Sequence, residues 1–303
     1  MNDSLKKGKK QKIIFYSLLM FFPMVQFLIM YVGVNLDLIL MAFREYSFID
    51  GYSWVGFANI NTVIDDVINN GLVIVSIKNS LIYFGMQIPF NIVLSILFSF
   101  YIFKKYFGDK FFRVMLFMPT IISSVVMVLL FKYFAESAVP SIVNKIFNIK
   151  IDGLLANAKT SFGAIVFYNI LCGFGSNILL YTGAMSAIPD SIIEGAQVDG
   201  VTNIKELIFI VFPMIYSTIV TLFIANIAVI FTNQLNVYTL FGYSAESRNY
   251  TLGYFLFKGT TEAVKSEYPY YSAMGVLLTV VMGPIVLIVR KILLNFDPLS
   301  TVE

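Results

Sequence analysis

Ile188-Pro189-Asp190-Ser191-Ile192-Ile193-Glu194-Gly195-Ala196-Gln197-Val198-Asp199-Gly200, running on through Ile210 to Pro213, is a polar, turn-containing segment between two long apolar runs. Pro189 can open a helix, because its missing N–H costs nothing in a first turn. Ile192, Ile193, Ala196 and Val198 then supply an apolar side, and Glu194, Gln197 and Asp199 supply polar positions. Gly200 suits the left-handed turn that ends such a helix. Thr202 or Asn203 caps a second helix, which carries Lys205 and Glu206 into the next apolar run near Phe209, with Pro213 in its first turns. The pattern predicts a helix–turn–helix knob over residues 188–207 lying on a membrane surface. Local physics alone is equally satisfied by a plain capped hairpin between two spans.

Outward from this loop the chain is 58% hydrophobic and only 13% charged, whereas a soluble domain carries about a quarter charged residues. The apolar residues gather into six runs, at roughly 13–34, 79–103, 112–134, 162–187, 208–232 and 271–293. Each is long enough to cross a hydrocarbon core of about 30 Å at about 1.5 Å per helical residue. The chain reads as an all-α, polytopic membrane protein with six transmembrane helices. Lys6, Lys7, Lys9, Lys10 and Lys12 precede the first run, but that run exceeds a signal-peptide core of about 7–15 residues and no small-x-small cleavage site follows. It is read as the first span. Cys172 is the single cysteine, so no internal disulfide forms, and with no histidine there is no His ligand set or His base.

Short-loop lysines and arginines set the orientation. With the N-terminus inside, its five lysines, Lys104, Lys105, Lys110, Arg113, Lys205, Arg290 and Lys291 all face the cytoplasm. Arg44, Lys78, Lys145, Lys150, Lys159, Arg248, Lys258 and Lys265 fall outside, scattered over longer loops, and Lys132 snorkels from the outer end of the third span. Both termini and the 188–207 loop are therefore expected in the cytoplasm. The layout is a basic N-terminus (1–12), a first span with its extracellular loop (13–78), a five-helix core (79–293) and a cytoplasmic tail (294–303).

Polar side chains inside spans are costly to expose to lipid and normally face a bundle interior. Asn169, Gly173, Ser176 and Asn177 recur on one helical face of the fourth run. Asn226, Asn233 and Gln234 do so in the fifth, with Tyr238 beyond, and Asn79, Tyr83, Gln87 and Asn91 in the second. These are neutral donors and acceptors, which suit a polyhydroxylated neutral solute better than an ion. The alternative is hydrogen bonding between packed helices, at about 0.6 kcal/mol per contact, with glycine allowing close approach.

In the loop, Glu194, Ala196, Asp199, Gly200, Ile210 and Pro213 stand at the spacing of the cytoplasmic signature of binding-protein-dependent ABC importer permeases, which this chain resembles. Gly195 stands where the family usually has Ala, and Phe212 where it usually has Leu. Trp54-Val55-Gly56-Phe57-Ala58-Asn59, Lys78-Asn79-Ser80-Leu81 and Val237-Tyr238-Thr239-Leu240 resemble, in order, segments of the maltose/glycerol-phosphate-type sugar branch. The resemblance implies a type I ABC importer permease fold. It makes the loop a coupling helix docked in an ATPase cleft, with Glu194 facing a basic partner residue, Gly200 forming the turn, and Ala196 and Asp199 completing the set. It also places Gly173, Ser176, Asn226, Asn233 and Gln234 in the sugar-contacting part of the channel, with Asn177 and Tyr238 on the same pathway.

No G-x-x-x-x-G-K-[ST] phosphate loop, zinc motif or nucleophile–base constellation is present, so the chain is expected to be no enzyme and to hold no cofactor or metal. By resemblance, ATP and magnesium are used by two separate ATP-binding subunits. A second permease in a heterodimer and an extracellular solute-binding protein complete the expected assembly, in a bacterial cell membrane, with a carbohydrate as cargo and no nucleic acid. The rivals are an ABC permease for an amino acid, peptide or polyol phosphate, and an ion-coupled secondary transporter. Asp and Glu avoid the span centres, which counts against the latter. The cytoplasmic acids Asp190, Glu194, Asp199 and Glu206 read as docking groups rather than catalytic ones.

Overall fold

The computed structural model describes residues 2–298. Side-chain surroundings of the first four N-terminal lysines, and the end of the expected 294–303 tail, lie outside what is described. In chain order the elements are α1 (Asn2–Gln26), α2 (Val34–Met41), β1 (Arg44–Ser47), β2 (Gly51–Trp54), α3 (Ala58–Asn69) and α4 (Gly71–Phe103). There follow α5 (Asp109–Ile121), α6 (Ser124–Tyr133), α7 (Val139–Phe147), α8 (Ser161–Ser186), α9 (Asp190–Val198) and α10 (Asn203–Glu206). The last are α11 (Phe212–Met214), α12 (Tyr216–Ala228), α13 (Val237–Phe241), α14 (Leu252–Glu262) and α15 (Tyr268–Asn295). One two-stranded hairpin aside, the described chain is helical.

The chain divides into two compact units. One takes the chain up to Asp66 with Glu262–Thr279. Here α1 continues through a π-helical turn at Phe27–Gly33 into α2, so the first span runs to Met41. Within Ile14–Met41, the apolar window that marks this span holds no buried residue, as suits a helix solvated by lipid or a partner. Asn59 donates to the carbonyls of Ala42 (3.0 Å) and Arg44 (2.7 Å), stapling α3 to the hairpin that follows α2. This is the physical role of the Asn that closes the Trp54–Asn59 stretch.

The other unit takes Val67–Thr261 and the chain from Val280 onward. Its centre is α4 packed along α8. Small residues bring them together: Ser95 and Ser99 donate across the helices to the carbonyls of Phe174 and Ile178, both at 3.0 Å. Gly175 sits against the Leu116 carbonyl of α5, where a Cβ would lie 2.2 Å from that oxygen. One apolar cluster gathers Val128, Phe131, Ile165, Tyr168, Leu235, Leu240 and Tyr254. A second gathers Ile96, Phe100, Tyr181, Met185, Ile188, Ile193, Val211 and Ile215 beside the 188–207 loop.

The six apolar runs meet the structure with changes of path in two of them and of bounds in others. Among the described residues five helices are long and apolar enough to cross a membrane, and the fifth run is a bent pair, Asn203–Met214 with Tyr216–Ala228, turned by 70°, which brings the number to six when the pair counts as one span. The π-helical turn at Leu207–Val211 and Pro213, which has no N–H to give, break the ladder just before the bend at Ile215. Helix α12 then ends at Ala228, short of the expected 232. The third run is likewise interrupted, at Ile122–Ser123, and its second half continues from Ser124 to Phe147. The second span begins at Gly71, with the Asn70 side chain accepting from the Leu72 N–H as its cap.

Candidate functional site

The loop folds as a knob whose ends follow local rules. Pro189 is the cap of α9 rather than its first helical residue, one position earlier than expected. At the far end Gly200 takes φ +74°. The Val201 N–H returns to the Ala196 carbonyl (3.0 Å) and the Gly200 N–H to the Gln197 carbonyl (3.1 Å). This pair of bonds is the Schellman motif, which needs a left-handed residue where Gly200 stands. Thr202 precedes α10 in extended conformation, without a side-chain capping bond.

Ile193 and Ala196 are buried, Ile193 within the second apolar cluster. Glu194, Gln197 and Asp199 face solvent, with Asp199 closing the helix as its C-cap. Val198 and Ile192 depart from their expected apolar side, at 87% and 40% exposed; Ile204 is 72% exposed. Three exposed apolar side chains thus stand beside three exposed polar ones on the knob. Glu206 does not join that surface. It is 1% exposed, with both carboxylate oxygens 2.9 Å from the Lys104 ammonium just after α4. Of the four acids expected at the surface, only Asp190, Glu194 and Asp199 are exposed.

The intramembrane polar residues fall into separate groups. Tyr83 and Gln87 of α4 meet Asn226 of α12 and Asn233 beyond it in a cleft of about 40 Å³, completed by Phe84, Val229 and Ile230. Asn233 and Gln234 are not helical as expected, because α12 has already ended. Instead the Asn233 side chain accepts from the Leu235 N–H (2.9 Å), a local turn that faces it to the cleft. Asn226 is half-buried and donates back to the Leu222 carbonyl. A second group joins α4 and α8: Asn177 donates to Asn91 at 2.6 Å, and Gly173 lies beside the same Asn91 amide. Ser176 is exposed, its hydroxyl turned back to the Gly173 carbonyl.

Four expected positions stand apart from the cleft: Gln234, Tyr238, Asn79 and Asn169. Gln234 is half-buried outside its lining, and Tyr238 stacks edge-on against Tyr243 and Phe257. Asn79 is occupied in packing, donating to the carbonyls of Arg248 (2.7 Å) and Tyr250 (2.8 Å). So is Asn169, which donates to Leu235 and accepts from Asn236. Lys132 reaches the Leu240 carbonyl at 2.9 Å. Gly253 is the residue that sequence reasoning missed: its Cα abuts the Thr232–Asn233 backbone, leaving no room for a Cβ. Among the described residues, no group of three or more acidic or cysteine side chains could hold a metal ion.

An apolar helical bundle with neutral polar residues between its helices and a capped knob projecting from one junction is the architecture of a multi-pass membrane permease. Residues 79–298 match the family described as "Binding-protein-dependent transport system inner membrane component", and the chain belongs to that family. It is 23% identical over 248 residues to the multiple sugar-binding transport system permease protein MsmF of Streptococcus mutans, covering 81% of this chain and 83% of that one. It is 27% identical over 155 residues to the probable ABC transporter permease protein MG188 homolog of Mycoplasma pneumoniae. That alignment takes in 49% of this chain and about half (46%) of the relative. The maltose/maltodextrin permease protein MalF of Yersinia pestis is 28% identical over 129 residues, 42% of this chain and 24% of that one. Among solved structures, a bacterial ABC transporter involved in the import of the acidic polysaccharide alginate shares the fold. Its TM-score is 0.80 at 22% identity, over 97% of this chain and 99% of that one. The fold is that of the type I ABC importer permeases.

Proposed function

We propose that this chain is the transmembrane permease subunit of an ATP-driven importer that moves a neutral sugar or oligosaccharide by alternating access. The observation that carries the cargo class is the neutral lining that Tyr83, Gln87, Asn226 and Asn233 present; the cleft between them, at about 40 Å³, is too small to enclose a sugar, so these side chains form one wall of a pathway that opens further in transport. Hydroxyl and amide groups exchange hydrogen bonds with a polyol at little electrostatic cost, whereas a phosphate or carboxylate cargo calls for Arg or Lys. Sugar permeases among the relatives support the same reading.

The knob supplies the coupling. Glu194 and Asp199 present negative charge, Val198 and Ile204 apolar area, and Gly200 the turn that holds them in place. Seated in a cleft of a soluble ATPase, α9 moves with that subunit, and closure of two ATPases rocks the spans as rigid bodies. ATP and magnesium belong to those subunits. A companion permease completes the pore, and an extracellular solute-binding protein delivers the cargo. Both termini and the knob face the cytoplasm, following the positive-inside rule.

The test is uptake into vesicles holding this chain with its companion permease and ATPase, supplied with the loaded binding protein. Solutes would span neutral mono- and oligosaccharides, amino acids and a polyol phosphate. ATP-dependent uptake of a neutral saccharide is expected. Uptake confined to a charged solute, or driven by an ion gradient without ATP, would overturn the reading.

A further inference from the structure

The knob has an anchor that docking does not use. Glu206 is the last residue of α10, and Lys104 is the residue after α4, a hundred positions earlier in the chain. One ammonium reaches both carboxylate oxygens at 2.9 Å, with the Phe100 ring 5.9 Å from the same nitrogen. The carboxylate is 1% exposed and the lysine 12%. Next to it lies the second apolar cluster, to which Phe100 belongs and against which partly buried Leu207 packs.

A buried ion pair is a poor way to gain stability, because desolvation of both charges offsets most of their attraction and a well-packed apolar pair does as well. Its gain is a tether: neither charge can part from the other while both are buried without a large desolvation cost, so the two backbones that carry them stay within reach of each other. The backbones here are the end of the helix that contributes Tyr83 and Gln87 to the cleft, and the second half of the knob. From Gln87 to Lys104 the helix spans about 25 Å at about 1.5 Å per residue.

We propose that Lys104 and Glu206 are positioning residues that make α4 move with the coupling knob, so that ATPase movement reaches the cleft along one continuous helix, past Pro89. The inference rests on the importer reading above. Its test uses the complete reconstituted transporter and two double variants. Lys104→Met with Glu206→Met removes the pair without stranding a charge; Lys104→Glu with Glu206→Lys exchanges the partners. The readouts are subunit co-purification, basal ATPase activity, and stimulation of ATPase by sugar-loaded binding protein.

The Met/Met variant is expected to assemble with unchanged basal activity while stimulation falls about tenfold, in the usual range of coupling between sites. The exchanged pair is expected to recover stimulation to within about threefold of the wild type. Stimulation at the wild-type level in Met/Met overturns the proposal. So does proportional loss of assembly and stimulation in both variants, which would mark a purely structural pair. A wild-type transporter that no saccharide stimulates would sink the importer reading instead.

Discussion

Gly253→Ala is the substitution whose cost follows most directly from the geometry. Gly253 is buried near the start of α14, and a Cβ built there would lie 2.5 Å from the carbonyl carbon and oxygen of Thr232 and 2.6 Å from the carbonyl carbon of Asn233. Carbon contacts settle at about 3.5–4.0 Å, so one backbone must retreat by roughly 1 Å. Both obstacles are main chain, and no rotamer change relieves them. The retreating segment carries Asn233 out of its place in the cleft and strains the bond from the Thr251 hydroxyl to the Asn233 carbonyl (3.0 Å). Overpacking of this kind costs about 1–3 kcal/mol, and a weakened hydrogen bond adds about 1 kcal/mol. If about 1.4 kcal/mol of this falls on sugar binding, affinity drops about tenfold. In vesicles the variant should show a raised KM for sugar and, in nanodiscs, a lowered Tm, with ATPase co-purification intact because the knob is untouched. Wild-type KM and Tm together would refute the reasoning.

Other substitutions divide the same account into parts. Gly195→Ala is the matched control, since nothing lies within 4 Å of the added Cβ; it should stabilise α9 by about 0.5–1 kcal/mol, read as a small rise in Tm. Glu194→Lys puts a positive charge on the exposed face of α9 and should abolish ATPase stimulation by loaded binding protein while leaving the spans folded; wild-type stimulation would refute the docking role. Gly200→Val forces a β-branched residue to φ +74°, at a cost of about 1–2 kcal/mol, and should weaken ATPase co-purification without changing the apparent affinity for sugar. Asn233→Leu should raise the KM for sugar with assembly intact, and Gln234→Leu, outside the cleft lining, should do so less; equal, wild-type kinetics in both would remove them from the pathway.

Much of this was legible from local rules. Apolar runs announce spans whatever their partners, and the Pro189-to-Gly200 knob follows from capping and glycine geometry, as its Schellman bonds attest. The bend at Ile215 was not, because a helical-period reading carries straight through Pro213 to residue 232, and it carried Asn233 and Gln234 onto a helix that ends at Ala228. Neutral polar rows were visible, but not their division. Asn79 serves the backbone at Arg248 and Tyr250, while Gln87 reaches a cleft; both look alike along one helix face. Glu206 looked like a docking acid because its partner, Lys104, lies in another apolar-to-polar junction far away in sequence. Val198 looked buried for a related reason. A helix of nine residues has few apolar positions, and which of them the core claims depends on the angle at which the helix meets it.

The central claim is that this chain works only as one part of an ATP-driven assembly. Affinity purification of the tagged chain from its native membrane, with every stoichiometric partner identified, tests it most directly. Recovery of a second permease and an ATPase carrying a phosphate loop is the predicted result. Recovery of this chain alone, intact and active in ion-gradient-driven uptake, would contradict the account.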